Sequence, residues 1–170
     1  MNPRFMMIPI IAFLAAATIA TDGPKISVQG TTRTQDGIQF SVLIKNLGQS
    51  SVFLEETREG SRDPYAINIE QLQPDGNWVS IGPRRDVPAA SVFELKPDTK
   101  IEKIIAVQDP YVDLRSAPHK QYSIRGRHRA SIRYFVSPSA WSDSIRNFKD
   151  NSILVYSEVI SMSGDTRLDH

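Results

Sequence analysis

The sequence predicts an all-β protein built as an antiparallel sandwich of two sheets, and three observations carry that expectation. Short runs with period-two alternation recur along most of the chain, turn-forming residues punctuate them, and only one stretch has helical spacing. The clearest run is residues 122–136, Tyr-Ser-Ile-Arg-Gly-Arg-His-Arg-Ala-Ser-Ile-Arg-Tyr-Phe-Val, which reads as one long strand. Strand side chains point alternately to opposite faces, so Tyr122, Ile124, Gly126, His128, Ala130, Ile132 and Tyr134 share one face. Arg125, Arg127, Arg129 and Arg133 share the other.

The chain has 170 residues, the length of one ordinary domain. A domain of about 150 residues buries roughly 68 to 70% of its unfolded surface, so an apolar core can hold it without cross-links. There is no cysteine, which removes thiolate nucleophiles, cysteine zinc sites, iron–sulfur clusters and lipid attachment at a cysteine.

Residues 1–20 differ in kind from the rest. Arg4 gives a positive start, residues 5–17 are almost wholly apolar, and Thr18-Ile19-Ala20 offers the small residues that a signal peptidase reads. The apolar run is shorter than the about 20 residues of a spanning helix, and Pro9 interrupts it. The expectation is a removed signal peptide, cleaved after Ala20 or, second, after Ala17, with no stable membrane insertion afterwards and a periplasmic or secreted product. Losing Arg4 with the leader takes the formal net charge from +1 to zero, so overall charge attracts neither nucleic acid nor an anionic membrane.

Along the remainder, residues 25–29 form a weak first strand, and Asp36-Gly37 is a hairpin signal. Ile38, Phe40, Val42 and Ile44 then alternate with Gln39, Ser41, Leu43 and Lys45, a half-buried strand. Asn46-Leu47-Gly48-Gln49 turns the chain into a short strand over residues 50–54. Residues 55–63 are charged and contain Gly60, so an exposed loop is expected, with Glu55 and Glu56 solvated. Tyr65, Ile67 and Ile69 mark the next strand, and Pro74-Asp75-Gly76-Asn77 a turn in which proline presets φ and glycine or asparagine accepts left-handed geometry. Strands follow over 78–81, 91–95 and 101–107, separated by a loop at 82–86 and a turn at Lys96-Pro97-Asp98-Thr99. Trp141, Ile145 and Phe148 have helical spacing, which predicts a short helical segment near 140–149 that closes over the sandwich edge. Residues 152–162 are the last strand, and residues 164–170 a polar tail that frays.

Three stretches carry a resemblance. Asn46-Leu47-Gly48-Gln49-Ser50-Ser51-Val52 after a strand, Leu95-Lys96-Pro97-Asp98 before a core strand, and Asp113-Leu114 leading into Lys120-Gln121-Tyr122-Ser123-Ile124-Arg125 resemble bacterial exported immunoglobulin-like domains. Among these the chain is similar to the type named after a bacterial intracellular proteinase inhibitor. The resemblance implies an immunoglobulin-like sandwich of about seven to nine strands over residues 21–163. It departs at Pro118-His119-Lys120-Gln121-Tyr122, where such domains usually have Pro-Gly-Lys-Tyr, and inhibitor activity does not transfer on punctuation alone. Tyr122 stands where such sandwiches place a tyrosine whose hydroxyl bonds backbone upstream, a structural role.

No catalytic constellation emerges. His119, His128 and His170 have no ligand spacing, no serine sits in a nucleophile elbow, and no glycine-rich phosphate motif occurs. No catalytic residue, metal or cofactor is expected. The arginine strand stands out because residues 114–142 contain six Lys or Arg and no acid. Guanidinium forks match carboxylates and phosphates, so Arg125, Arg127, Arg129 and Arg133 are the candidate partner-binding residues, for an acidic protein or another anionic partner rather than nucleic acid. The plainer reading makes them a wet sheet face paired to Glu94, Glu102 or Glu158. The expected function is a noncatalytic exported interaction module. The alternative is an inhibitor of an extracytoplasmic enzyme such as a protease, acting through residues 55–63 or 82–86.

Overall fold

In chain order the strands are β1 (Pro24–Thr34), β2 (Gly37–Asn46), β3 (Val52–Glu56), β4 (Ile67–Leu72), β5 (Trp78–Gly82), β6 (Ser91–Leu95), β7 (Lys100–Gln108), β8 (Tyr111–Asp113), β9 (Lys120–Tyr122), β10 (Gly126–Tyr134), β11 (Ile153–Tyr156) and β12 (Ile160–Met162), with helix α1 (Pro138–Asn147) between β10 and β11. The computed structural model describes residues 23–65, 67–82, 88–113, 118–147 and 150–162. The expected leader over 1–20 and the tail over 164–170 lie outside these.

The protein is mostly β, with several antiparallel sheets and one short helix. β1 and β2 form a hairpin with Thr34 opposite Gly37, so Gln35 and Asp36 make a two-residue loop. Gly37 is needed because a Cβ there would overlap the Val107 carbonyl of the adjoining strand. β7 pairs with the other side of β2 and completes a three-stranded sheet, β1-β2-β7. The second sheet has the order β11-β10-β4-β5, and β12 also pairs with β10. β3 and β6 form a ribbon joined to the end of β10 by reciprocal backbone bonds between Phe53 and Phe135, each 2.9 Å.

Both sheets feed one apolar cluster. Phe40, Val42 and Ile44 enter it from β2, and Ile67, Ile81 and Ile132 from β4, β5 and β10, each with no exposed surface. Burying such a side chain stabilises the fold by about 1.5–3 kcal/mol. The face of β2 that the alternation assigned to the interior is therefore the interior face. Asn46, fully buried at the end of β2, donates to the Ser50 carbonyl (2.9 Å) and the Leu95 carbonyl (3.0 Å), and accepts from Gly48 N–H (3.0 Å). Its side chain thereby locks the turn after β2 onto β6.

Four expectations need correction. Twelve strands are present among the described residues rather than about seven to nine, because three-residue strands such as β8 and β12 carry no alternation signal. Residues 122–136 are not one strand. β9 ends at Tyr122, and the Gln71 amide donates to the Ser123 carbonyl (2.8 Å) and the Arg125 carbonyl (2.6 Å), groups that a continuing ladder would use. Gly126 then restarts the chain with φ 84°, a left-handed angle that glycine adopts at no steric cost. Glu56 is not a solvated loop residue. It ends β3, is 2% exposed, and accepts from Gly60 N–H (2.8 Å), Arg62 N–H (2.8 Å) and Ser91 Oγ–H (2.5 Å). Finally, α1 forms where helical spacing placed it, with the Ser137 hydroxyl accepting from Ala140 N–H (3.1 Å) at its start, but none of its residues is buried. It is tied down by the Trp141 indole, which donates to Glu55 Oε1 at 3.2 Å, and it leaves Ile145 exposed. Phe148 lies outside the described residues.

Candidate functional site

β10 lies between β4 and β11 and turns alternate side chains outward. His128, Ala130, Ile132 and Tyr134 face the core, so Arg127, Arg129, Ser131 and Arg133 lie on the outer face. The alternation thus assigned three of the four arginines correctly. Arg125 precedes the break at Gly126; it is exposed but lies outside the strand.

The arginines differ in environment. Arg129 is opposite Glu70 of β4, and its Nε donates to Glu70 Oε2 at 2.7 Å, with only 20% and 15% of the two side chains exposed. Glu70 Oε1 also accepts from the Ser131 hydroxyl at 3.0 Å. The guanidinium carbon lies 4.2 Å from the Trp78 ring centroid and 3.8 Å from that of Tyr156, so the cation is held between two aromatic faces. Cation–π contacts of this kind contribute about 0.5–2 kcal/mol, and arginine suits them because its guanidinium is planar. Arg129 is therefore a structural cation, neutralised and stacked, and not part of a free basic face. Its counter-ion is Glu70, not Glu94, Glu102 or Glu158.

Arg133 is half exposed and stands 3.7 Å from Asp150. The Asp150 carboxyl is held below the ordinary value, first by the Ser152 hydroxyl and N–H and then by Arg133. Arg125 and Arg127 are exposed and have no ion-pair partner among the described residues. The outer face therefore presents Arg127 and Arg133 around a rigid centre made by Trp78, Arg129 and Tyr156, with Arg125 at its margin. Trp78, Glu70 and Tyr156 escaped sequence reasoning because the register that brings three strands together is not written in any one of them. The only local hint is that Glu70 falls on the polar side of the Ile67, Ile69 alternation.

No known family model, curated protein or solved structure matches the chain.

His128 is the other polar group in an unusual setting. It has no exposed surface, lies 5.7 Å from the Phe40 ring, and uses Nδ1 on the Gly126 carbonyl at 3.2 Å. Among the described residues its Nε2 has no hydrogen-bond partner, and neither has Oε1 of Gln71, the residue directly opposite on β4. Desolvation holds its pKa below the ordinary 6.5, against a smaller upward pull from the Gly126 carbonyl. Nδ1 carries the proton that the Gly126 carbonyl accepts, and desolvation in the core favours the neutral ring. Among the described residues no group of three His, Cys, Asp or Glu is placed to hold a metal, and His170 lies outside them. Tyr122 is half-buried with its ring 6.4 Å from that of Tyr111, its partner on β8.

Of the two loops considered for inhibition, residues 57–62 are exposed but tied from beneath. Glu56 holds two of their N–H groups, Thr57 N–H donates to the Asp63 carbonyl (3.1 Å), and Asp63 pairs with Lys103 of β7. Residues 83–86 of the second loop lie outside the described residues. No helix among the described residues is long and apolar enough to cross a membrane.

Proposed function

We propose that the chain is an exported, noncatalytic, immunoglobulin-like binding module that takes an acidic protein or other anionic partner on the outer face of β10. The observation that carries this reading is the pair Arg125 and Arg127, both exposed and lacking a counter-ion among the described residues, beside a preorganised aromatic centre. An immobile platform loses little conformational entropy on binding, and arginine with tryptophan and tyrosine is the composition of interface hot spots. The resemblance to exported immunoglobulin-like domains and the apolar leader support export. Arg129 is kept out of the test because its loss would disturb the sheet. The experiment is capture from the exported protein fraction by the purified chain and by the Arg125→Glu, Arg127→Glu, Arg133→Glu triple variant, with circular dichroism to verify folding. Capture of the same acidic partner by a folded triple variant refutes the arginine face.

The second reading, inhibition of an extracytoplasmic enzyme, has its own observation: an exposed loop held in one shape by Glu56, with Arg62 at φ 52°. Standard-size inhibitors use loops fixed before binding. Its test is suppression of proteolytic activity in the exported fraction by the wild-type chain but not by Glu56→Ala.

A further inference from the structure

The chain breaks between β9 and β10, and two buried side chains hold the break. The Gln71 amide donates to the Ser123 and Arg125 carbonyls (2.8 and 2.6 Å), and His128 Nδ1 donates to the Gly126 carbonyl (3.2 Å). Three of the four carbonyls over residues 123–126 therefore hang on this pair, which stands directly opposite on β4 and β10.

The setting of His128 accepts the ring only without charge. Around it β1 turns Val28 inward, β2 Phe40, β11 Val155 and β12 Ile160 and Met162, none of them titratable. Glu56 of β3 also points inward, but β3 meets β10 at Phe135, beyond the opposite end of the strand, and its own loop takes up the carboxylate. At the corner, Asp109 accepts from Ile124 N–H (3.2 Å) and pairs with Arg33 (3.3 Å), and Tyr122 lies against Tyr111. Arg127, Arg129 and Glu70 stand on the outer face. None of these charges acts on the imidazole, whose pKa is set by desolvation and the Gly126 carbonyl alone. An added proton goes to Nε2, which has no partner among the described residues. Gln71 Oε1 lacks one too, but a neutral amide oxygen does not offset a buried charge. The imidazolium is stable only where water reaches it.

The way to water is past β12. This strand is three residues long, and among the described residues it pairs only with β10. Ile160, the residue opposite His128, lines a recess of about 330 Å³ with Val28 and Met162. β4, by contrast, is paired on both sides, and it pairs with β10 only from His128 onward. β12 is thus the ladder partner of Arg127 among the described residues.

We propose that His128 is an acid-sensing latch: its protonation opens the corner at residues 123–126 together with β12, and so displaces Arg125 and Arg127 while β10 from Arg129 onward stays paired to β4. The opening goes beyond the anionic-partner reading. Its consequence, release of such a partner on acidification, rests on that reading.

The test is NMR of the labelled protein from about pH 7.5 to about pH 5, above the ordinary carboxylate range. Amides of residues 123–127 and 160–162 are expected to shift with the same midpoint as the His128 ring, and to exchange with solvent at least about tenfold faster relative to β2 amides at the acid end. His128→Asn, which keeps an amide donor for Gly126, and His128→Leu are expected to abolish both changes. These variants also separate the effect from His119 and His170, the other histidines. A His128 ring that takes up no proton until the β2 amides are lost overturns the latch, and so does a corner that still titrates in either variant. Dextran sulfate, whose charge is constant over this range, reads the consequence: the wild type should bind it about tenfold more weakly at the acid end, and folded His128→Asn equally at both. Equal wild-type binding with an open corner overturns the coupling to the arginines. Absent binding at pH 7.5 counts against the anionic-partner reading alone, with the latch still decided by the amides.

Discussion

Replacing Glu56 with alanine should destabilise the protein by about 2–4 kcal/mol, and the figure follows from what the carboxylate holds. It accepts from Gly60 N–H, Arg62 N–H and the Ser91 hydroxyl at 2.8, 2.8 and 2.5 Å, and its side chain is enclosed. A donor left without its partner costs about 1–3 kcal/mol if it stays buried. Ser91 is only half-buried and can turn toward water, and the two amides sit at the base of an exposed loop that can lift. About half of the summed penalty should therefore survive. For a chain of this size about 1 kcal/mol corresponds to roughly 2–4 °C, so Glu56→Ala should melt roughly 5–15 °C lower. Glu56→Gln retains one accepting oxygen and should fall between the two. Thermal melting by circular dichroism measures both, and limited proteolysis should cut residues 57–62 faster in Glu56→Ala. Burial pushes the Glu56 carboxyl up, but the Ser91 hydroxyl, the Arg62 and Gly60 amides and the Arg62 charge together outweigh it, and the net pKa lies below 4.5. With the folded value below the unfolded one, this contribution is fully present above about pH 4.5 and lost as pH falls through the folded value. If Glu56→Ala melts within a degree of wild type, the carboxylate is not what holds the loop.

Three further outcomes can be checked. His128 has a folded pKa below its ordinary 6.5, so its unfolded form binds the extra proton: stability should be full above about pH 6.5 and fall as pH drops from there toward the folded value. Urea midpoints across pH 5–8 should record this, and His128→Leu should flatten the decline and match or exceed wild-type stability at pH 7, since it removes an orphaned Nε2. Arg129→Ala should cost about 2–4 kcal/mol from a charged hydrogen bond and two aromatic stacks, and Arg129→Lys should restore less than half, since an ammonium has no plane to stack; chemical denaturation with tryptophan emission reports both. N-terminal sequencing of the protein recovered from its native compartment should begin at Thr21, and a sequence beginning at Met1 would rule out the removed leader.

What could be read in advance was whatever depends on neighbours along the chain. The β2 face, the presence of a turn before it and the position of α1 are set by period, turn chemistry and helical spacing, all local. What could not be read depends on contacts between residues far apart in sequence. Gln71 breaks the arginine run from about fifty positions away, and Arg129 finds Glu70 and Trp78 only through the register of β4 and β5. Charge counting likewise misjudged Glu56, because a short charged loop and a carboxylate wrapped in its own loop have the same composition. The arginine face was half legible: its alternation was visible, but which guanidinium is neutralised was not.

The pairing of β2 with β7 and of β4 with β10 joins segments separated by more than fifty residues, and β10 touches both sheets. Until β10 has been delivered, the sheet β1-β2-β7 can pair, but its apolar face has no complete far wall. Such long-separation topologies close slowly, so a chain threaded through a translocation pore amino end first would keep its interior open until β10 has emerged. The architecture itself would then delay folding until passage is over, with no separate device to hold the chain open.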